Sequence, residues 1–142
     1  MSIEQSELIL NPDGSIYHLN LRPENIASDI IFVGDQDRVD KISYHFDSIE
    51  FTTQKREFKT TTGIYKKKRF SVISTGIGPD NIDIVLNELD ALVNINLETR
   101  QPKEHLTSLN IVRIGTSGSL QTDIPVDSFV ISSHGLDLNG LL

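Results

Sequence analysis

Three short apolar runs in this chain each lead into glycine, and this repeated pattern constrains the fold more than any other feature of the sequence. The runs cover residues 29–33, 70–74 and 109–114. Compact apolar runs of this length are typical of buried strands. Apolar residues at helical spacing follow the first two runs. Strands that lead into helices in this way indicate an α/β fold.

The spacing of the other apolar residues predicts two helices. Val39, Ile42 and Phe46 recur at helical spacing after the first run. The clearer helix lies further along the chain, where six apolar residues fall on one face: Ile82, Val85, Leu86, Leu89, Leu92 and Val93. We expect Asp80, which follows a proline, to be the N-cap of this second helix.

Further strands are predicted over three segments: 48–54, 58–62 and 128–132. Gly63 is expected to turn the chain into another extended piece over 64–67. Residues 16–21 are predicted to be extended, and the polar segment 94–107 to be a loop or an inserted excursion. The predicted helices are too few to cover both faces of the sheet, so we expect the chain to be a piece of a longer protein.

The composition excludes several classes of protein. With 142 residues and 37% hydrophobic content, the chain suits one folded domain rather than disorder. A net charge of −7 argues against a nucleic-acid partner, which requires a positive field. The sequence has no cysteine, which removes disulfides, thiolate catalysis and cysteine-based zinc sites. No apolar stretch reaches membrane-spanning length and no signal-peptide pattern is present, so we expect a cytoplasmic protein with no membrane partner.

The glycine-rich strand ends carry groups that suit an anion. Arg38 is expected in the first helical turn after Gly34, and Arg113 lies near the end of the third run, just before Thr116. Backbone N–H groups, a guanidinium and a hydroxyl at the carboxyl ends of strands are suited to holding a phosphate. We expect Arg113 to lie in a strand buried on both faces, where a guanidinium requires an anion. Neither a P-loop nor a full dinucleotide-binding pattern is present, which favours a small anion such as orthophosphate.

Each of these features also has a structural interpretation. Taken alone, the segment 115–118 is more typical of a turn than of a binding site. Arg38 also suits a charged helix start, and Arg56 suits a surface ion pair with Glu57. His18 has the character of an ordinary surface histidine. The combination of these residues, rather than any one of them, therefore carries the functional argument.

Four segments, in this order, resemble the nucleoside phosphorylase superfamily, and most of all its uridine phosphorylases: Gly34-Asp35-x-Asp37-Arg38, Arg56-Glu57-Phe58, Ser74-Thr75-Gly76-Ile77-Gly78 and Arg113-Ile114-Gly115-Thr116-Ser117-Gly118. Tyr17-His18-Leu19 adds to the likeness. The resemblance implies an α/β fold with a mixed, partly barrel-like central sheet flanked by helices. Because members of the superfamily are longer, residues 1–142 are expected to be the N-terminal portion of a single domain, whose fold is incomplete in this chain.

The resemblance also implies a reaction. Phosphate attacks C1′ of a nucleoside, expected to be uridine or a related pyrimidine nucleoside, and gives the free base and ribose 1-phosphate. Orthophosphate is then a co-substrate, and no separate organic cofactor is expected. The implied phosphate ligands are Gly34, Arg38, Arg113 and Thr116 from one subunit and Arg56 from a neighbouring subunit. The implied ribose ligands are Thr116 and His18, the latter reaching the 5′-hydroxyl across a dimer interface.

A monovalent cation and an oligomer are implied in the same way. Glu57, Ile77 and Asn81 occupy the positions where a potassium ion sits between subunits, although Asn81 stands where the superfamily has serine. Residues that act across an interface imply a homodimer, or a hexamer built as a trimer of dimers.

The catalytic groups themselves are not expected in this sequence, so the chain alone is expected to be inactive. In the superfamily, the residues that recognise the base, grip the ribose hydroxyls and assist the leaving base belong to the second half. Two alternatives stay open beside phosphorolysis. One is a hydrolytic nucleosidase of the same fold, and the other is a catalytically silent module that binds phosphate or mediates assembly.

Overall fold

The computed structural model describes residues 2–136 and residue 138 of the chain. After a 3-10 turn at Pro23–Asn25, the elements are β1 (Asp29–Val33), α1 (Gln36–Ser43), β2 (Ser48–Lys55), β3 (Phe58–Tyr65), β4 (Lys68–Ser74), α2 (Pro79–Asn94), β5 (Ile95–Asn96), β6 (Gln101–Pro102) and β7 (Asn110–Arg113). Five strands form one mixed sheet in the order β2-β3-β4-β1-β7. A mixed sheet flanked by helices confirms the predicted α/β class.

The strand directions bring several chain segments to one edge of the sheet. Strand β1 runs parallel to both β4 and β7, whereas β2, β3 and β4 form an antiparallel meander. The carboxyl ends of β1, β4 and β7 therefore meet at the same edge as the turn between β2 and β3. We call this edge the site end. The opposite edge, which carries the turn between β3 and β4, is the far end.

Both faces of the sheet are packed, each against one helix. On one face, Phe32 and Ile73 of the sheet join Leu89 and Leu92 of α2 in the main core. On the other face, residues of β1 and β4 pack with Val39 of α1 in a smaller cluster. The alternation of β1 side chains between these two clusters is what a strand buried on both sides requires. Within residues 2–136 and 138, no helix is long and apolar enough to cross a lipid bilayer.

Two predicted strands are wrong. Residues 128–132 have no regular structure, and Phe129 and Ile131 are almost fully exposed, because no described element lies against them to form a ladder or a core. Residues 16–21 form a turn rather than an extended piece. The Asn20 N–H donates to the Ile16 carbonyl, 3.0 Å away, and Asn20 adopts a positive φ of 53°. The apolar side chains of this turn are buried, which explains the strand-like pattern.

Gly63 does not turn the chain, contrary to the prediction. Strand β3 continues through it to Tyr65, and the turn is made by Lys66 and Lys67, which both have positive φ. A glycine is required at position 63 for a different reason. A Cβ atom there would lie 2.2 Å from the carbonyl oxygen of Ser48 on β2. Gly63 therefore marks a close approach between two strands.

The second helix begins earlier than predicted. Gly78 is the N-cap of α2 and Pro79 is its first residue, so Asp80 lies inside the first turn and is not the cap. Proline is well suited to this first position because its missing N–H would have no helical partner there. The predicted excursion over 94–107 contains the short ribbon of β5 and β6.

Candidate phosphate and nucleoside site

The start of α1 fixes the first glycine-rich segment at the site end. Asp35 is the N-cap, and its Oδ1 accepts a hydrogen bond of 2.8 Å from the Arg38 N–H. The Arg38 guanidinium lies 3.2 Å from Oδ2 of the same carboxylate. Arg38 is thus in the first helical turn, as predicted. This ion pair is also the charged helix start considered as an alternative, so the position of Arg38 alone does not assign a ligand.

Arg113 reaches Gly34 from the adjacent strand. Residue 113 is the register partner of Phe32 on β1. Its Nη2 lies 3.8 Å from the position that a Cβ would occupy at Gly34, and its Nη1 lies 2.6 Å from the equivalent position at Gly115. A guanidinium therefore lies beside two glycines whose backbones are open to an approaching anion.

The expected burial of Arg113 is wrong. All four residues of β7 are exposed, because β7 is the edge strand of the sheet with only β1 beside it. Arg113 nevertheless forms no ion pair with any residue of the described chain. Thr116 lies three residues further on, in an exposed segment without regular structure.

The turn between β2 and β3 is fastened to the same edge. The side-chain amide of Gln36, the first residue of α1, donates to the Arg56 carbonyl oxygen. The Glu57 carbonyl accepts a hydrogen bond of 2.6 Å from the hydroxyl of Ser74, the last residue of β4. Arg56 itself has a φ of 55°, in the left-handed region that favours glycine. Among the described residues Arg56 forms no ion pair, so the alternative of a surface pair with Glu57 is not observed.

The three residues predicted to hold a monovalent cation lie together around Gly76. A Cβ at this glycine would lie 2.7 Å from Asn81 Nδ2 and 2.9 Å from Glu57 Cγ, and its φ is 69°. The Asn81 amide donates to the Ile77 carbonyl oxygen, 3.1 Å away. An N–H group, rather than a further oxygen, therefore faces the carbonyl that would bind the ion. This arrangement does not fit a cation at Ile77, and the potassium ion stays a prediction from the sequence.

His18 is held by a residue that sequence reasoning missed. His18 Nδ1 lies 2.7 Å from Glu88 Oε1 on α2, and the pair lines a cavity of about 430 Å³ beside residues 3–9. The same segment is tied to the end of β2, since Lys55 Nζ donates to the Tyr17 carbonyl oxygen at 2.5 Å. His18 and Arg56, both predicted to act across a subunit interface, thus lie on adjoining segments. Seventy positions separate His18 from Glu88, and no local pattern in the sequence announces that pairing.

Two carboxyls outside the candidate site have lowered pKa values. Hydrogen bonds from Lys68 and Asn110 hold the pKa of Asp29 below its usual value, but Asp29 begins β1 at the far end. A hydrogen bond from Ser15 likewise lowers the pKa of Asp13. Within the part of the chain that the structure describes, no cluster of three histidine, aspartate or glutamate side chains is arranged to hold a metal ion. The site is therefore characterised by arginines and open backbone rather than by a carboxylate or metal centre.

Known proteins share both the sequence and the fold. The uridine phosphorylase of Thermococcus kodakarensis is 32% identical over 128 residues, which cover 90% of this chain and 41% of that protein. A DeoD-type purine nucleoside phosphorylase from Thermoanaerobacter is 33% identical over 116 residues, or 81% of this chain and 44% of that protein. Relatives named for pyrimidine and for purine nucleosides therefore match at similar identity.

Solved structures agree with these relatives. The crystal structure of a Trypanosoma brucei nucleoside phosphorylase, described as showing uridine phosphorylase activity, matches with a TM-score of 0.75 and 40% identity, covering 83% of this chain and 41% of that one. The chain thus spans about two fifths of the length of these relatives. The family model described as the Phosphorylase superfamily matches residues 29–141. Because that match covers most of the sequence and the fold agrees, this chain belongs to the phosphorylase superfamily.

Proposed function

We propose that this chain serves the phosphorolysis of a nucleoside, as a pentosyltransferase. A phosphate oxygen forms a bond to C1′ of the sugar, and the glycosidic bond from C1′ to the base nitrogen breaks. The electron pair of that bond leaves with the base, which takes up a proton, and ribose 1-phosphate remains. The observation that carries the proposal is the convergence of the Arg113 guanidinium on Gly34 at the site end.

The chemistry explains why arginines and glycines are needed. Cleavage of a glycosidic bond passes through an oxocarbenium-like state at C1′, and a phosphate held next to it stabilises the positive charge. Gly34 leaves its backbone open to the anion, and Arg113 supplies a planar pair of N–H donors. Arg38 and the hydroxyl of Thr116 are the other ligands that we propose from the same subunit. Fixed donors lower the barrier because they hold phosphate in line with C1′ before the reaction starts.

We further propose that the site is completed by a second subunit. Arg56 and His18 would reach the phosphate and the ribose 5′-hydroxyl of the neighbouring site, in a homodimer or a trimer of dimers. Arg56 directly follows β2, and Lys55 at the end of β2 donates to the Tyr17 carbonyl oxygen, so the two residues lie on adjoining segments, which supports a joint role. Uridine or a related pyrimidine nucleoside is the proposed substrate, in line with the Trypanosoma brucei protein. A cytoplasmic location stays a prediction from the sequence, and no step of the proposal uses a cation.

The two alternatives differ in what they require of the arginines. A hydrolytic nucleosidase uses water and needs no cradle for a dianion, so unpaired arginines at the site end argue against it. A module that only binds phosphate would keep the arginines but release no base. The share of the relatives that this chain spans, about two fifths, is the observation that keeps this second alternative in view.

Two measurements on the full-length protein, rather than on residues 1–142 alone, separate these functions. Release of base from uridine, thymidine, inosine and methylthioadenosine would be followed with and without orthophosphate, and phosphate binding would be measured by calorimetry. We expect base release that depends on phosphate. Equal release without phosphate would indicate a nucleosidase, and binding without release would indicate a phosphate-binding module.

The site itself is tested by Arg113→Ala. Loss of a charged hydrogen-bonding group from a phosphate should weaken its binding by about 10- to 100-fold. The thermal midpoint should change little, because the Arg113 side chain is exposed and unpaired in the described chain. Lys67→Ala is the matched control, since it removes one positive charge at the far end. Unchanged phosphate affinity in Arg113→Ala would refute the assignment.

A further inference from the structure

The Glu88 carboxylate accepts three different N–H groups from one short segment. The backbone N–H of His18 lies 2.9 Å from Oε1, the backbone N–H of Leu19 lies 2.8 Å from Oε2, and His18 Nδ1 lies 2.7 Å from Oε1. The Glu88 side chain is only 12% exposed, whereas that of His18 is 26% exposed. The Glu88 carboxylate is largely shielded from water and accepts hydrogen bonds from three donors of one segment instead. These hydrogen bonds hold that segment in a fixed position.

The contact also fixes which nitrogen of the imidazole carries hydrogen. An ionised carboxylate only accepts hydrogen bonds, so Nδ1 of His18 must be the donor in this pair. In the neutral ring, Nε2 is then an acceptor. Within residues 2–136 and 138, Nε2 has no hydrogen-bond partner, while Nδ1 has Glu88. The ring faces of His18 are further confined by edge contacts with Tyr17 and Phe58, at centroid distances of 4.8 and 6.4 Å.

We propose that Glu88 is the positioning residue for His18: it holds the ring in the Nδ1–H form, so that Nε2 accepts a hydrogen bond from the ribose 5′-hydroxyl. The ribose contact rests on the proposed phosphorolysis, whereas the control of the tautomer does not. Glu88 acts from α2, the helix that packs under the main core, so a rigid element sets the orientation of a residue on a surface turn. The arrangement parallels the way a carboxylate orients the histidine of a catalytic triad.

The tautomer is measured directly by long-range ¹⁵N–¹H NMR of the neutral histidine rings in this chain. In the unmodified chain His18 should show hydrogen on Nδ1. In Glu88→Ala no side-chain acceptor faces Nδ1, so we expect the Nδ1–H signal to be lost and an Nε2–H signal, the form that a free neutral imidazole prefers, to replace it. Asp83→Ala is the matched control, because it removes the same charge from an exposed position on α2. An Nε2–H ring in the unmodified chain, or an unchanged ring in a folded Glu88→Ala, would overturn the proposal.

The consequence for the substrate is measured by comparing uridine with 5′-deoxyuridine in phosphorolysis. The unmodified protein should prefer uridine in kcat/KM by about tenfold, the value of one good hydrogen bond. Both Glu88→Ala and His18→Ala should remove this preference, and the double variant should lose no more than either single one. A preference that survives Glu88→Ala would overturn the positioning role. Absence of phosphorolysis in the unmodified protein would refute the proposed function and the ribose contact, while the NMR result would still decide whether Glu88 sets the tautomer.

Discussion

The two ends of the sheet are built from the same devices, but they differ in the arginines that they leave without a carboxylate partner. Each end has a two-residue hairpin turn with a non-glycine residue at positive φ, Arg56 at the site end and Lys66 at the far end. At the far end, Arg69 Nε lies 2.7 Å from Glu50 Oε2 and Lys68 Nζ lies 2.9 Å from Asp29 Oδ2, while Lys66 and Lys67 form no ion pair within the described residues. At the site end, Arg56 and Arg113 form no ion pair within the described residues.

The difference identifies the features on which the proposed phosphate site depends. The net charge is −7, so carboxylates are plentiful, yet three of the six arginines form no ion pair within the described residues. One of the three, Arg100, donates to the Leu8 carbonyl oxygen, and the other two lie at the site end. Strained turns and close glycines occur at both ends and therefore identify neither. Within the part of the chain that the structure describes, Arg56 and Arg113 at the site end pair with no carboxylate, and Arg113 lies beside the open backbone of Gly34, where an anion would complete its hydrogen bonds.

The largest expected effect separates a structural glycine from a ligand-facing one. In Gly63→Ala the new methyl group would lie 2.2 Å from the Ser48 carbonyl oxygen, a backbone atom that cannot move aside. We expect a loss of about 3 kcal/mol in the free energy of unfolding, measured in urea. Gly34→Ala should change that free energy by less than about 0.5 kcal/mol, because its nearest contact is ordinary, at 3.8 Å from Arg113 Nη2. Similar losses of unfolding free energy in Gly63→Ala and Gly34→Ala would contradict the distinction between a packing glycine at the far end and a ligand-facing glycine at the site end.

The two turns provide the next test. Glycine relieves the left-handed strain of Arg56 or Lys66 but adds freedom to the unfolded chain, so each substitution should change the free energy of unfolding by no more than about 1 kcal/mol. Only Arg56→Gly should weaken the binding of orthophosphate, by about 10-fold or more, because only this substitution removes a proposed phosphate ligand. Calorimetric titration with orthophosphate, alongside urea melts, checks both statements. If Lys66→Gly lost phosphate affinity to the same degree, Arg56 would have no special role.

The sequence predicts the central strands well because their signal is local. The apolar runs at 29–33 and 70–74 lie in β1 and β4, and 109–114 contains all of β7. In β1 and β4 the run itself supplies apolar side chains for both faces of the sheet, whereas β7 is an exposed edge strand that depends on pairing with β1. Prediction fails at 128–132, where an apolar run has no described element to pack against. Local pattern cannot supply the partner that turns such a segment into a strand.

The site is predictable in part for the same reason. Gly34, Arg38 and Arg113 follow strand ends, and strand ends of a parallel set must meet at one edge. The sequence does not predict why position 63 requires glycine, because the Ser48 carbonyl oxygen that excludes a Cβ there lies on another strand. Glu88 was missed because a contact over 70 positions leaves no mark in either local segment.

The smallest expected effect is a change of pH dependence that belongs to the far end alone. Lys68 and Asn110 donate to Asp29 and hold its pKa below the usual value. The unfolded chain therefore binds the proton more readily, so this contribution to stability is complete above the usual aspartate pKa and is lost as the pH falls through the lowered one. Asp29→Asn should remove the contribution at neutral pH and flatten the loss of stability on acidification, by a small amount because the group is exposed. Arg113→Ala should leave that acid limb unchanged, since Arg113 pairs with no described carboxylate. Urea melts between pH 2 and 7 compare the variants, and an acid limb that changes with Arg113 but not with Asp29 would reverse the contrast between the two ends.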